Sequence, residues 1–474
     1  MRSRRPPFSF SVEAEMSEPR ECPFCTASLG HTLHAEQLSP DALLMVAANN
    51  PWWRPESGLC DECARGFESA LGYVLRHAAG FAHGGVPILP TPVRLSAPEA
   101  LSGRGATIAF LDSGFYAHPD LVRPRSRILA YVDVNNPRAR LRDLEKPDVS
   151  SWHGMMTSVV ACGNGWLSDG LYRGLAASAK VVLVKVGSAS RIRHDDIRRG
   201  LAWVTRNRKR YGIRIVNVSC GGDYEASYLE DGLSRAAEAA TRAGLLVVAA
   251  AGNLGNKRGH PVLPPASAPS VLTVGGLDDK NRLPFSGYDM YHSSYGPTVD
   301  GLQKPEVIAP GIWVAAPILP GTPTADQAAL LARLARTSDA ELRNVLEAGR
   351  GIDAQLDAAS GLEPPLVRQL VQAKIRDHNV ISDAYKHVDG TSFAAPIVAS
   401  LAALLVEANP ALTPRELKLV IQATARRLQH VDVDRQGWGV VDVRRACLAV
   451  SRRPLRPSPR KGPGRLVRRP GSPA

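Results

Sequence analysis

The sequence predicts an α/β protein: a mainly parallel sheet with helices on both faces, preceded by a small cysteine-bracketed module. Three observations lead there. Short apolar runs rich in β-branched residues recur at 106–111, 128–132, 180–186, 213–218, 245–251 and 270–275. Helix patterns fall between them, at about 195–210 and 226–243. Runs of this kind suit strands buried on both sides, and intervening helices supply the crossovers that parallel pairing requires. Finally, four of the seven cysteines form two C-x2-C pairs before residue 64, outside that rhythm.

The elements follow in order. Residues 1–20 read as a disordered leader, basic at Arg2, Arg4 and Arg5. No apolar stretch follows of the kind a secretory signal needs, so a cytoplasmic protein is expected. Residues 21–85 form the module, with Cys22, Cys25, Cys60 and Cys63 spaced C-x2-C-x34-C-x2-C. Without a secretory signal, thiol or metal chemistry is preferred to disulfides. Two such pairs suit a tetrahedral thiolate site for a structural Zn2+, each pair supplying one knuckle. His31 and His34 are alternative ligands in place of one pair. Neither pair opens the strand–helix order of a dithiol redox motif. A metal would contribute folding energy that so small a module otherwise lacks.

Residues 86–448 form the main domain. Its first strand, from Ala106 to Leu111, runs into Asp112-Ser113-Gly114. The segment from about 317 to 386 breaks the strand–helix rhythm. Leu330, Leu331 and Leu334 share one helical face there, Ser338-x-x-Glu341 has the form of a capping box, and Leu366, Val367, Leu370 and Val371 mark a further helix. This is a helical insertion. Helix patterns resume at 392–408 and 414–427, the latter opened by Thr413 as cap, Pro414 at the first helical position and Glu416 two residues on.

Residues 449–474 are a basic disordered tail. From Ser451 onward it carries eight of the chain's arginines and lysines and no acid, leaving +5 of the net +13 for everything else. Its Pro, Gly and Ser content points to a solvated tail, with weak contact to an acidic partner, nucleic acid or membrane surface as the other possibility; of these, nucleic acid is not the expected partner. A hydrophobic content of 44% against 22% charge excludes a wholly disordered chain. No apolar run is read as long enough to span a membrane, so no span is expected.

Three local motifs carry the chemistry. Asp112 sits where a strand ends, the place at which open α/β sheets present ligand groups. His153 lies in Ser151-Trp152-His153-Gly154, ahead of a helix pattern. Ser392 lies in Gly390-Thr391-Ser392-Phe393-Ala394-Ala395-Pro396, at a helix start whose N–H groups favour developing negative charge. Carboxylate, imidazole and hydroxyl are the groups that acyl transfer by a serine nucleophile needs, and the chain order Asp, His, Ser is one of its known orders.

From about residue 90 to 448 these motifs resemble the subtilases, the subtilisin-like serine endopeptidases. The resemblance implies the three-layer subtilisin-like fold and an Asp112–His153–Ser392 triad acting on protein or peptide substrates. Val247 to Asn253 resembles the segment ending in the family's oxyanion asparagine, which falls on Asn253. Val216 to Gly222 resembles the strand that pairs with extended substrate, making Ser219, Cys220 and Gly221 the substrate contacts. Leu254 stands where many subtilases carry an acid, so a neutral or apolar preference before the cleaved bond is expected. Ser113 is an accepted variant of threonine, whereas Met155 replaces the usual Thr after His-Gly and puts local packing in question. Ca2+ sites are frequent in the family, but their ligands have no match here. The usual inhibitory propeptide has no counterpart either. The zinc module or the insertion is therefore expected to gate Ser392 or to receive a regulatory protein partner. The competing reading is a weak or inactive binding protein on the same fold.

Overall fold

The computed structural model describes residues 22–24, 38–50, 53–76, 88–282 and 288–451. The leader, Cys25, His31, His34 and the tail from residue 452 lie outside the described residues. Two compact units emerge, one containing the described residues up to Arg76 and the other containing the sheet.

In the first unit, helices Pro40–Asn49 and Asp61–Arg76 pack around Phe24, Val46, Trp53, Leu59 and Phe67. The first is started by Ser39, whose hydroxyl accepts from Ala42 N–H, with Pro40 at its first position. The sequence leaves room for a helix between the cysteine pairs, and Pro40–Asn49 occupies it.

The second unit is built on an eight-stranded sheet. Its strands are β1 (Thr107–Asp112), β2 (Ile128–Asp133), β3 (Lys180–Lys185), β4 (Ile213–Val218), β5 (Leu246–Ala250), β6 (Leu272–Asp278), β7 (Asp289–Met290) and β8 (Val307–Pro310). They lie in the order β2-β3-β1-β4-β5-β6-β7, with β8 also paired to β6. All pairings are parallel except β6 with β7. The six apolar runs are therefore strands β1 to β6; the short β7 and β8 give no comparable signal.

Side chains alternate along β1 as strand geometry demands. Ile108 and Phe110 join the core beneath helices Ser151–Cys162 and Thr391–Ala408. Ala109 and Leu111 join the opposite core, beneath helices His194–Tyr211 and Gly232–Arg242. Every residue of β1 is buried. Because the chain adds β2 and β3 on one side of β1 and β4 to β6 on the other, β1 is the point where strand order reverses. A crevice at its carboxyl end follows from that topology.

Two element readings need correction. The helix expected from 226 begins at Gly232, because the Asp231 carboxylate accepts from Ser234 N–H and fixes the start there. The 18-residue helix Thr391–Ala408 is long and apolar enough by composition to cross a membrane, which the sequence reading did not register; 83% of it is buried inside the protein, where it forms the central core helix. The start at Thr413 is as expected, with Glu416 N–H donating to Thr413 Oγ1 (3.2 Å) and Thr413 N–H donating to Glu416 Oε2 (2.9 Å).

The insertion leaves from β9 (Val314–Pro317) and returns through β10 (Tyr385–Val388), which pair as an antiparallel ribbon. Between them lie helices Pro323–Arg336, Leu342–Ala348, Ala354–Ala358 and Pro364–Asp377, with a hydrophobic core of their own that includes Leu331, Leu334, Leu346, Val367 and Val371. Leu366 faces solvent instead, half exposed. Ser338 opens a short 3-10 turn ahead of helix Leu342–Ala348. The return strand β10 delivers the chain to Gly390, one residue before the helix that carries Ser392.

Candidate active site

Asp112 ends β1 and is fully buried. A bare carboxylate would be costly there, and its partners explain how it is tolerated. Oδ1 accepts from Ser113 N–H (2.8 Å) and lies 2.7 Å from His153 Nδ1. Oδ2 accepts from Thr157 Oγ1 (3.1 Å). Thr157 stands one turn beyond His153 on the same helix, so one element supplies both groups. The sequence reading missed Thr157; its i+4 spacing from His153 is the signal that would have found it. Met155, which looked like a blemish, points the other way and is fully buried in the core under the sheet.

His153 is half-buried, between the Trp152 indole, edge-on at 5.1 Å, and the Phe393 ring at 5.8 Å. Burial alone would depress its pKa, but the charge and hydrogen bond of Asp112 outweigh that and hold it above the ordinary histidine value.

Ser392 is the second residue of its helix. Its Oγ donates to the Ser219 carbonyl (3.2 Å), and among the described residues no hydrogen bond joins it to His153. The Asp–His link is thus closed and the His–Ser link open. Looseness of this kind is common without substrate.

The helix start has a second unusual feature. Pro396 lacks the N–H that would bond the carbonyl four residues earlier, which is that of Ser392. Ser219 Oγ donates to that carbonyl instead (2.9 Å), and Ser219 Oγ accepts in turn from Asn217 Nδ2 (2.9 Å). Ser219 therefore grips the backbone of Ser392, a contact that its sequence context did not suggest. Replacing Ser219 by Ala should cost about 1 kcal/mol of unfolding free energy, read in a urea titration, because the carbonyl loses its donor.

Asn253 lies on the surface just after β5. Its Oδ1 accepts from both Thr391 N–H (3.1 Å) and Thr391 Oγ1 (2.8 Å). Two donors on one oxygen fix the orientation of the carboxamide, so Nδ2 faces away from Thr391. Gly390, at φ +141°, shows where it faces: a Cβ there would sit 3.7 Å from Ser392 N and 3.8 Å from Asn253 Nδ2. Both nitrogens thus lie within ordinary contact distance of one point beside Gly390, at a φ that favours glycine.

Ser219, Cys220 and Gly221 follow the last ladder pairs of β4, Val218 with Leu111 and with Ala249, so they lie beyond the sheet. The Cys220 side chain turns inward, with Sγ 3.7 Å from the Leu111 carbonyl. Burial and the charge of Asp112 push its thiol well up from the ordinary value.

In the other unit, Cys22, Cys60 and Cys63 bring their Sγ atoms within 4.8 Å of one another and could hold a metal ion. Among the described residues none of the three forms a disulfide.

Several known proteins are similar to this chain. Serine protease AprX of Bacillus subtilis (strain 168) is 30% identical over 355 residues, covering 73% of this chain; the match spans 66% of that protein's length. Subtilisin Savinase of Lederbergia lenta is 30% identical over 228 residues, covering 47% of this chain and 71% of that protein. Among solved structures, a protease from Pseudoalteromonas arctica has a TM-score of 0.50 at 23% identity, over 79% of this chain and 98% of that chain, a likeness of fold. The model of the subtilase family matches residues 103–439, and the chain belongs to that family.

Proposed function

We propose that this chain is a serine endopeptidase that hydrolyses peptide bonds of protein substrates through an acyl-enzyme. The observation that carries the reading is the pinned carboxamide of Asn253, whose Nδ2 shares one space with the Ser392 N–H. Two preorganised donors beside a serine hydroxyl suit a tetrahedral oxyanion. A peptide lies along Ser219–Gly221 through backbone hydrogen bonds, its carbonyl oxygen entering that space. Ser392 Oγ swings from Ser219 towards His153 Nε2, loses its proton and attacks the carbonyl carbon. His153, held in register by Asp112, then passes the proton to the leaving amine. A water follows the same path in reverse roles and releases the acyl group. Purified protein should turn over casein or a quenched peptide with many cycles per chain, and Ser392→Ala should show none; equal hydrolysis by both would refute the reading.

We further propose that Cys22, Cys60 and Cys63, with Cys25, hold a structural Zn2+. The described thiols fit the ion. Cys22 and Cys63 Sγ lie 3.8 Å apart, the edge of a tetrahedron with bonds of about 2.3 Å. Cys60 N–H donates to Cys22 Sγ and Cys63 N–H to Cys60 Sγ, each at 3.4 Å, as thiolates favour. Bound zinc would tie the start of helix Asp61–Arg76 to the Cys22 turn. Elemental analysis should find one zinc per chain, and Cys63→Ser should lose it.

A further inference from the structure

Beside His153 lies a cavity of about 390 Å3. Trp152 and Met156 form one wall, from the helix that carries His153; Ile318 and Leu319, just past β9, and Val388, at the end of β10, form the others. We propose that this cavity, resting on the endopeptidase reading, is a specificity pocket for one large apolar side chain in the first two residues after the cleaved bond.

The position argues for the leaving side. The acyl half of a substrate faces Ser219–Gly221 and the donors of Asn253 and Ser392, and none of these residues lines the cavity. The leaving amine takes its proton from His153, so the chain beyond it departs past the imidazole. Trp152 stands there, its indole edge-on to that ring. Val388 closes the same region from the strand that runs on to Gly390.

The chemistry argues for an apolar occupant. The walls are mostly indole, thioether and aliphatic groups, with Thr322, Thr324 and Lys386 as the polar members. Trp152 remains 42% exposed and Val149, also on the lining, 76% exposed, so apolar surface is left uncovered at the mouth. The volume lies at the small end of the ligand-site range, enough for one large side chain rather than a cofactor. The insertion supplies this wall: Ile318 belongs both to the cavity and to the insertion's own core. The insertion is therefore tied directly to what Ser392 cuts.

The test uses the full chain and three substrates with one common acyl half. Two are quenched peptides, with Phe-Leu or Gly-Ser after the cleaved bond; the third is a methyl ester, whose leaving group is too small to fill the cavity. Wild type should favour Phe-Leu over Gly-Ser by about tenfold or more in kcat/KM. Thr324→Trp fills the mouth from an exposed position on the lining, and Val149→Asp places a charge at its edge. Both should bring the ratio towards one and leave methyl ester hydrolysis unchanged. Equal hydrolysis of the two peptides by wild type would overturn the pocket with the peptidase reading intact. An equal fall on all three substrates in both variants would overturn it too, since damage to the fold explains that result. If wild type hydrolysed none of the three, the peptidase reading and the pocket would fall together.

Discussion

Replacing Asp112 by Asn is expected to lower kcat by about 10^4 while leaving the fold intact. The carboxylate accepts from three partners, and the isosteric amide keeps its shape but can offer His153 Nδ1 an N–H. That fixes the proton on Nε2, the nitrogen that must receive the proton of Ser392, so the imidazole cannot act as base. The pH profile separates this from simple loss of packing. In wild type burial pulls the His153 pKa down, but the charge and hydrogen bond of Asp112 outweigh it and hold the value above 6.5. Activity should therefore be lost, as pH falls, through a value above 6.5. In Asp112→Asn only the effect of burial remains, so the residual activity should persist to lower pH, with its acid limb below 6.5. A kcat/KM profile for both proteins reads the shift. An acid limb that does not move would mean that His153 and Asp112 are not coupled as their 2.7 Å contact requires.

The second large effect is at Asn253. Removing the carboxamide as Asn253→Ala should cost about 10^2 to 10^3 in kcat, with KM nearly unchanged, because its donor acts on charge that exists only in the transition state. Thr391 makes the prediction specific. Its N–H and hydroxyl both hold Asn253 Oδ1, so Asn253→Asp, which keeps the acceptor and removes the donor, should lose as much as Asn253→Ala. A fall in KM-dependent binding alone would place Asn253 in substrate recognition instead.

Much of this was legible in the sequence because the signals were local. The six β-branched runs mark buried parallel strands, and Thr413-Pro414-Arg415-Glu416 writes a helix start into four consecutive residues. Asp112, His153, Ser392 and Asn253 each sit in a motif whose small neighbours permit close backbone approach. What the sequence hid was non-local or ambiguous in period. Thr157 serves Asp112 across 45 positions, and Ser219 holds Ser392 across 173, because Pro396 frees a carbonyl that only the folded sheet brings near. The motif names Cys220 as a contact residue but gives no sign that its side chain packs against the neighbouring core. Met155 looked like a departure from pattern, but it fills the core beneath the sheet. The cavity at Trp152 is made by segments more than 160 residues apart, joined only when β9 and β10 bring the insertion back to the Ser392 helix.

The central claim is that Ser392 is a nucleophile activated by His153 beside a preformed oxyanion space. A fluorophosphonate probe followed by peptide mass mapping tests it most directly, since the reaction needs the nucleophile, the base and the oxyanion donors at once. The account predicts a single adduct on Ser392 in wild type, none in Ser392→Ala, and labelling slowed by orders of magnitude in Asp112→Asn. An adduct on another residue, or no adduct in wild type, would contradict it.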